Sequence, residues 1–372
     1  MTRMSQLATG IAVGIVATGA VIGARGEDRP MPADVAALHR EAVVADLHID
    51  ALLWNRDLSV SNPDGQVDWP RIQAGGLDIA VFGVVTAGLP IIGGWRLFTW
   101  WQGWKRDARR TRWAAAQDQI GRLNELIAQS NGQLELTRTA ADVTTALSRG
   151  GVAALLGVEG AQALDGDISR IRTLHHQGVL YMGPVHLSGN ALGGSSFPAG
   201  NRGGLTPYGR DVVREMERVG MFIDVAHLSE AAFWETVNMT RGPILCSHTG
   251  VYGVEPSWRN LKDDQLRAIA DRGGVIGIMV ATRFLGGKEL EQWVAHVRHA
   301  VAVAGMEHVA LGSDYDGFVA VPPDAPDIAS LPRLTWALVE SGFTRDQIQR
   351  IMGGNFLQML RTYRPGTEVL PL

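Results

Sequence analysis

Apolar runs of strand length recur along the chain at Val43–Leu47, Leu77–Val85, Val152–Val158, Val179–Val185, Met221–Ala226, Pro243–Cys246, Val275–Val280 and His308–Gly312. Between them lie stretches with helical periodicity: Arg112–Ala128, Ile168–Gln177, Thr206–Val219, Ser229–Met239, Asp263–Asp271 and Leu290–Gly305. Thr206 before Pro207, and Ser229 before Glu230, supply the hydroxyl caps that start helices. Near-continuous apolar strands alternating with helices mark a parallel sheet covered on both faces. Eight such units predict an α/β fold, a (β/α)8 TIM-like barrel. An open doubly wound sheet is the alternative, but no Gly-rich nucleotide fingerprint follows the first run.

Ahead of the barrel, Leu7–Ala24 is an uncharged run of 18 residues flanked by Arg3 and by Arg25-Gly-Glu-Asp-Arg29. A bilayer span takes about 20 apolar residues and a signal h-region about 7–15, so the run suits a short anchor or a long signal. Arg3 and the free amine precede the run, whereas the charges after it cancel. The positive-inside rule therefore puts the N-terminus in the cytoplasm and the body outside. The expected division is residues 1–26 as a signal peptide or N-terminal membrane anchor, 27–42 as a linker, 43–363 as the barrel and 364–372 as a tail. The expected location is exported and periplasmic, with anchoring by the N-terminal hydrophobic helix preferred to cleavage.

With 372 residues and 46% hydrophobic positions the chain can bury a sizeable core, which excludes a disordered polymer. A net charge of −4 provides no general field for nucleic acid. The lone Cys246 excludes an internal disulfide and cysteine-based zinc modules. Its place in an apolar run suits a buried small hydrophobe rather than a nucleophile.

In a barrel the chemistry sits just past the C-terminal ends of the strands. Polar groups gather there: His48-x-Asp50, Glu159, His186, His227, His248 and Asp314-x-Asp316. Buried ionisable groups must be paired or bind metal, and six of eight strands ending this way points to metal. Histidine and carboxylate donors without cysteine suit zinc, with manganese or cobalt as alternatives. On a strand, residues i and i+2 face the same way, so His48 and Asp50 can reach one ion. Glu159 offers two oxygens and can bridge to a second ion held by His227 and His248. A pair of ions about 3.5–4 Å apart would make a hydroxide nucleophile at neutral pH. No lysine follows an apolar strand, because the only lysines are Lys105, Lys262 and Lys288. A carbamylated-lysine bridge is therefore ruled out.

The series His48-x-Asp50, Glu159-Gly, His186, His227, Ser247-His248, Arg259-Asn-Leu and Gly312-Ser-Asp314-x-Asp316-Gly resembles the membrane (renal) dipeptidases. Gly204-Leu-Thr-Pro-Tyr-Gly-Arg through His227-Leu-Ser, Asp263-Asp-Gln-Leu through Gly273-Gly-Val-Ile-Gly-Ile, and Gly353-Gly-Asn355-Phe-Leu extend the likeness over about Val43 to Leu360. The resemblance implies a metallo-dependent hydrolase with two zinc ions, cleaving dipeptides and tolerating a D-residue at the C-terminal position. It implies metal ligation by His48, Asp50, Glu159, His227 and His248, with Glu159 bridging. Arg259 would grip the free carboxylate as a bidentate guanidinium, His186 would hold the scissile group, and Asp314 would position the amino group or handle a proton. Glu159 and Asp314 are thus the expected catalytic residues.

Two segments depart from the family pattern. Asn190 stands four positions after His186, where an Asn directly after the histidine is expected. The Trp-rich insertion at 93–112 carries Leu97, Trp100, Trp101 and Trp104 at helical spacing, followed by Lys105, Arg106, Arg109, Arg110 and Arg112. It reads as a helix packed on the barrel or on a second subunit of a homodimer, as an interfacial membrane helix, or as a lid. Two classes of function follow. One is a dipeptidase; the other is a dipeptidase-like, membrane-associated maturation factor for a larger exported peptide, or a scaffold without turnover. His175, His176, His296, His299 and His308 read as structural.

Overall fold

The computed structural model describes residues 29–87 and 94–363. The hydrophobic run Leu7–Ala24, the first residue of the insertion and the 364–372 tail lie outside them. No helix among the described residues is long and apolar enough to cross a membrane.

Among the described residues nine strands form: β1 (Ala45–Ile49), β2 (Ile79–Val85), β3 (Leu134–Leu136), β4 (Val152–Glu159), β5 (Val179–Gly183), β6 (Phe222–Asp224), β7 (Ile244–Thr249), β8 (Ile276–Ile278) and β9 (Val309–Leu311). Eight run in parallel in the order β1-β2-β4-β5-β6-β7-β8-β9, matching the eight expected runs. The ninth, β3, was not expected. β5 joins β4 only from Leu156, which leaves the first residues of β4 free to pair with β3 from Leu134↔Val152.

The seam between β9 and β1 is closed by a few specific bonds rather than a ladder. Asp50 N donates to Tyr315 O (2.8 Å) and Asp314 N to His48 O (3.1 Å). The buried Asp46 carboxylate accepts from Ser313 N (2.8 Å) and His48 N (3.1 Å). These contacts make a nearly closed barrel and discard the open-sheet alternative.

The barrel has two apolar layers. One buried cluster draws Leu47, Val81, Leu155, Leu180, Phe222, Leu245, Val275 and Ala310 from strands all around the ring. Only a lumen can bring residues from every strand into one cluster. Phe356, Leu357 and Leu360 of the helix Asn355–Tyr363 join it and plug the end where the strands begin. Asn355 Nδ2 donates to Met306 O and Val309 O, fastening that helix to β9. The other cluster lies between the sheet and the surrounding helices.

All six expected helices are present with ends within two residues, and Asp263–Asp271 agrees at both ends. The Thr206 and Ser229 hydroxyls cap theirs as expected, accepting from Gly209 N and Ala232 N. Within the segment expected as a linker, 27–42, Ala33–Glu41 forms a helix with Val35, Leu38 and His39 buried. His39 bonds to Thr335 Oγ1 (2.7 Å) and Gly75 O (2.9 Å), which fixes it to the barrel wall.

In the insertion the helix is shorter than the spacing of Leu97, Trp100, Trp101 and Trp104 suggests. It ends at Trp101, and Gly103 at φ +68° turns the chain so that Trp104 points inward. Trp104 and Trp95 are buried against Leu53, Val85 and Ala115, while Leu97, Trp100 and Trp101 stay outside. The stripe of four therefore splits, three outward and one inward.

Candidate metal centre

Each site residue sits where a strand gives way to a loop. The β1–β2 register slips between Asp46 and Ile49, which face Ala80 and Phe82, so three residues on β1 oppose two on β2. Such a bulge re-aims side chains at a barrel rim. It leaves His48 and Asp50 together, with His48 Nε2 3.2 Å from Asp50 Oδ1. Space for them comes from Gly83 on β2, where a Cβ would lie 2.3 Å from Asp50 Oδ1. Asp314 follows β9 in a left-handed conformation, φ +66°, which a non-glycine residue adopts only under constraint. The seam bond from its amide to His48 O supplies that constraint.

Glu159 is the hub. His227 Nε2 is 2.7 Å from Glu159 Oε1, His248 Nε2 3.4 Å and His48 Nε2 3.8 Å, while His186 Nε2 is 3.2 Å from Oε2. Among the described residues three triads have donor atoms within 4.8 Å of one another: His48–Glu159–His248, Glu159–His186–His227 and His48–Asp50–Asp314. Glu159 and His48 each belong to two. These groupings cross the expected partition, placing His48 with His248, and His186 and Asp314 beside the ligands.

The donors fit divalent cations. His48 Nε2, Asp50 Oδ1 and Glu159 Oε2 are fully buried with no hydrogen-bond partner. The Nε2 atoms of His227 and His248 lie 3.0 Å apart, and the His48 and His248 rings stack at 4.0 Å. Two hydroxyls set the tautomers. Tyr181 donates to Leu47 O (2.8 Å), so it accepts from His48 Nδ1 (2.9 Å). Ser247 donates to Asp224 Oδ2 (2.6 Å), so it accepts from His248 Nδ1 (2.8 Å). Both rings thereby present an Nε2 lone pair to the centre, as metal-ligating histidines do. Gly157 on β4 admits Tyr181, since a Cβ there would meet its ring at 2.1 Å.

Charge makes the same demand. Burial, then the Asp50 carboxylate, pushes Glu159 well above the usual carboxylate range and Asp314 up to about 8. Burial would lower His48, yet Asp50, Glu159 and Asp314 together lift it to about 10. The carboxylates call for positive charge at this spot. Burial holds His227 and His248 well below their ordinary values and His186 down to about 3, so these rings are neutral donors.

Arg259, from the loop after β7, is buried beside the ligands. Its Nη1 donates to Ala226 O (2.5 Å) and its Nη2 to His248 O (2.8 Å), with Nη2 also 3.3 Å from His227 Nε2. Two donors are thus committed to the backbone flanking the centre. Every expected site residue is brought into this cluster. The supporting residues Asp46, Tyr181 and Asp224 were missed, and glycines inside β2 and β4 were the available signal.

Other polar residues have structural roles. Asp316 pairs with Arg56 and accepts from Gln66 N, which holds its loop. Asn190 Nδ2 donates to Gln162 Oε1 and Pro184 O, tying the His186 loop to its neighbour. Buried Cys246 has its thiol pushed up by burial and is inert. His175, His296 and His308 bond to backbone carbonyls and His299 to Asp263.

Comparison with known proteins agrees with this architecture. A dipeptidase of Claviceps purpurea, tcpJ, is 31% identical over 249 residues, covering 65% of this chain and 58% of that protein. The crystal structure of a metallopeptidase of family M19, the dipeptidase AC, superposes with a TM-score of 0.76 at 26% identity, over 87% of this chain and 99% of its own. A metallopeptidase from Rhodobacter sphaeroides, solved with a phosphinate mimic of the dipeptide L-Ala-D-Ala, gives 0.74 at 26% identity over the same shares. The family model described as membrane dipeptidase, peptidase family M19, matches residues 33–368, from the first barrel helix through the plug. A nearly closed barrel with His and carboxylate triads at its strand ends thus carries the family's pattern along almost its whole length, and the chain belongs to the membrane dipeptidase family of metallopeptidases.

Proposed function

We propose that this peptide hydrolase is a binuclear zinc dipeptidase, exported to act outside the cytoplasm. The observation that carries the two-metal reading is Glu159, whose carboxylate lies within reach of four histidines and has one buried oxygen, Oε2, that accepts no hydrogen bond. His48 and Asp50 would hold one ion, His227 and His248 the other, with Glu159 between them. When bound, such a pair polarises the scissile carbonyl and lowers the pKa of the attacking water.

The protein's own groups supply the rest. Arg259, oriented by the Ala226 and His248 carbonyls, has further N–H donors for the substrate carboxylate. That contact fixes the length of peptide the site accepts, because the carboxylate must lie one residue from the scissile bond. His186 Nδ1 is buried and unpaired, available to the scissile amide. With the positive charge the centre calls for in place to keep it ionised, the Asp314 carboxylate would take a proton during attack and return it to the departing amide nitrogen. The likeness to a protein solved with an L-Ala-D-Ala mimic supports tolerance of a D-residue at the C-terminal position. The intact donor set speaks against the scaffold reading. Export rests on Leu7–Ala24 and Arg3, outside the described residues.

Turnover of a dipeptide and of its C-terminal amide tests the reading. Losing a charged hydrogen-bond partner costs about 1.5–3 kcal/mol, so amidation lowers kcat/KM roughly ten- to hundred-fold. Arg259→Ala loses as much on the free acid and little more on the amide. Equal cleavage of both forms by the wild type would refute the carboxylate grip.

A further inference from the structure

The helix Gly94–Trp101 turns its more aromatic face outward. Trp95 and Thr99 are buried, whereas Trp100 is 62% exposed, Trp101 67% and Leu97 46%. Phe318, 46% exposed, packs on Phe98 at 5.5 Å. Four of the seven large exposed hydrophobic residues in the described structure therefore form one patch. The helix is held rigidly from beneath: Trp95 and Trp104 meet edge to face at 5.3 Å, and Arg112 and Arg122 lie over their rings. Nothing about the fold requires the outer tryptophans, because the inward ones already fill the space against Leu53 and Val85.

Charge identifies what meets the patch. Arg96, Lys105, Arg106 and Arg110 of the same segment are exposed, and the one acid within residues 94–112 is Asp107, which pairs with Arg110 at 3.1 Å; on its far side Lys105 borders a cavity lined by Asp57, Glu125 and the Asp118–Arg122 pair. A second copy would bring like charges together across a two-fold axis. An anionic surface would be attracted, and tryptophan rings favour the headgroup region of a bilayer. We infer that Trp100, Trp101, Leu97 and the surrounding Arg and Lys side chains form a docking surface for an anionic phospholipid bilayer.

The patch shares its rim with the catalytic mouth. Phe98 and Phe318 flank Trp54, whose Nε1 donates to Asp316 O (2.7 Å), two residues from Asp314. Docking would set the mouth of the barrel beside the lipid, where peptides presented at the membrane surface reach it. The inference rests on geometry and charge outside the metal centre, so it stands or falls separately from the dipeptidase reading.

Hydrogen–deuterium exchange on the intact chain tests it, with phosphatidylglycerol and phosphatidylcholine vesicles compared. Leu7–Ala24 can insert into both, whereas the patch selects the anionic one. The expected result is protection confined to about residues 94–106 in phosphatidylglycerol alone, lost at high salt and in Trp100→Ser/Trp101→Ser. Replacing Lys105 and Arg106 by Gln weakens that engagement roughly 30-fold. No protection in either vesicle, or equal protection in both, would overturn the inference. Protection that appears without lipid as protein concentration rises would also overturn it, in favour of a homodimer.

Discussion

Gly83→Ala is a change of one methyl group, yet it should disable the centre. The added Cβ would stand 2.3 Å from Asp50 Oδ1 and 3.2 Å from His48 Cε1, where ordinary contact begins at 3.4 Å. Asp50 must therefore retreat by 3.4 − 2.3 = 1.1 Å. Its side chain is free to swing, so the strand survives and the ligand moves. A misplacement of about 1 Å in a catalytic constellation costs roughly 100-fold, or about 2.7 kcal/mol of transition-state stabilisation. Zinc affinity and kcat/KM on a dipeptide are measured in the variant at saturating and limiting zinc, with thermal unfolding as the control for folding. The same change in an Asp50→Ala background should do little further harm, because the displaced group is already gone. Wild-type zinc affinity and kcat/KM in Gly83→Ala would refute the reasoning. So would an equal loss in the Asp50→Ala background, which would place the damage elsewhere.

Two further outcomes follow from groups around the centre and away from it. Tyr181→Phe removes the hydroxyl that takes the His48 Nδ1 proton, so zinc affinity falls about 10–100-fold while Ser247→Ala does the same through His248; unchanged affinity in both would exclude the tautomer argument. His296 accepts from Val251 N and is pushed by burial down to about 4, below its unfolded value near 6.5. Between those pH values the unfolded chain binds the proton and the native chain does not. Native stability therefore falls by about 3 kcal/mol in all as pH drops from 6.5 to 4, with no contribution above. Denaturant unfolding of wild type and His296→Gln should show the gap between them narrowing over that window; a constant gap would contradict it.

The eight barrel strands were legible because strands buried on both faces are nearly continuous apolar runs. β3 was not, since three residues with Glu135 in the middle carry no such signal. The helix at Ala33–Glu41 escaped because Pro32 gives no side-chain cap and only Val35, Leu38 and His39 face inward. The metal donors stood out as polar residues breaking apolar strand ends. Tyr181 did not, because an aromatic inside Val179–Val185 reads as core until its hydroxyl is seen between His48 and Leu47 O. Asp46 and Asp224 are acids within buried strands, and only the fold shows that one closes the seam and the other steers Ser247. The Trp104 inversion depended on Gly103 and its positive φ, which helical spacing cannot express.

Metal content tests the central claim most directly. Protein purified without chelator should carry close to two equivalents of zinc per chain by elemental analysis. Glu159→Ala should retain one or fewer, because the group shared by two triads is lost, while its circular dichroism stays that of the folded barrel. A single equivalent in the wild type, unchanged by Glu159→Ala, would contradict the two-metal centre.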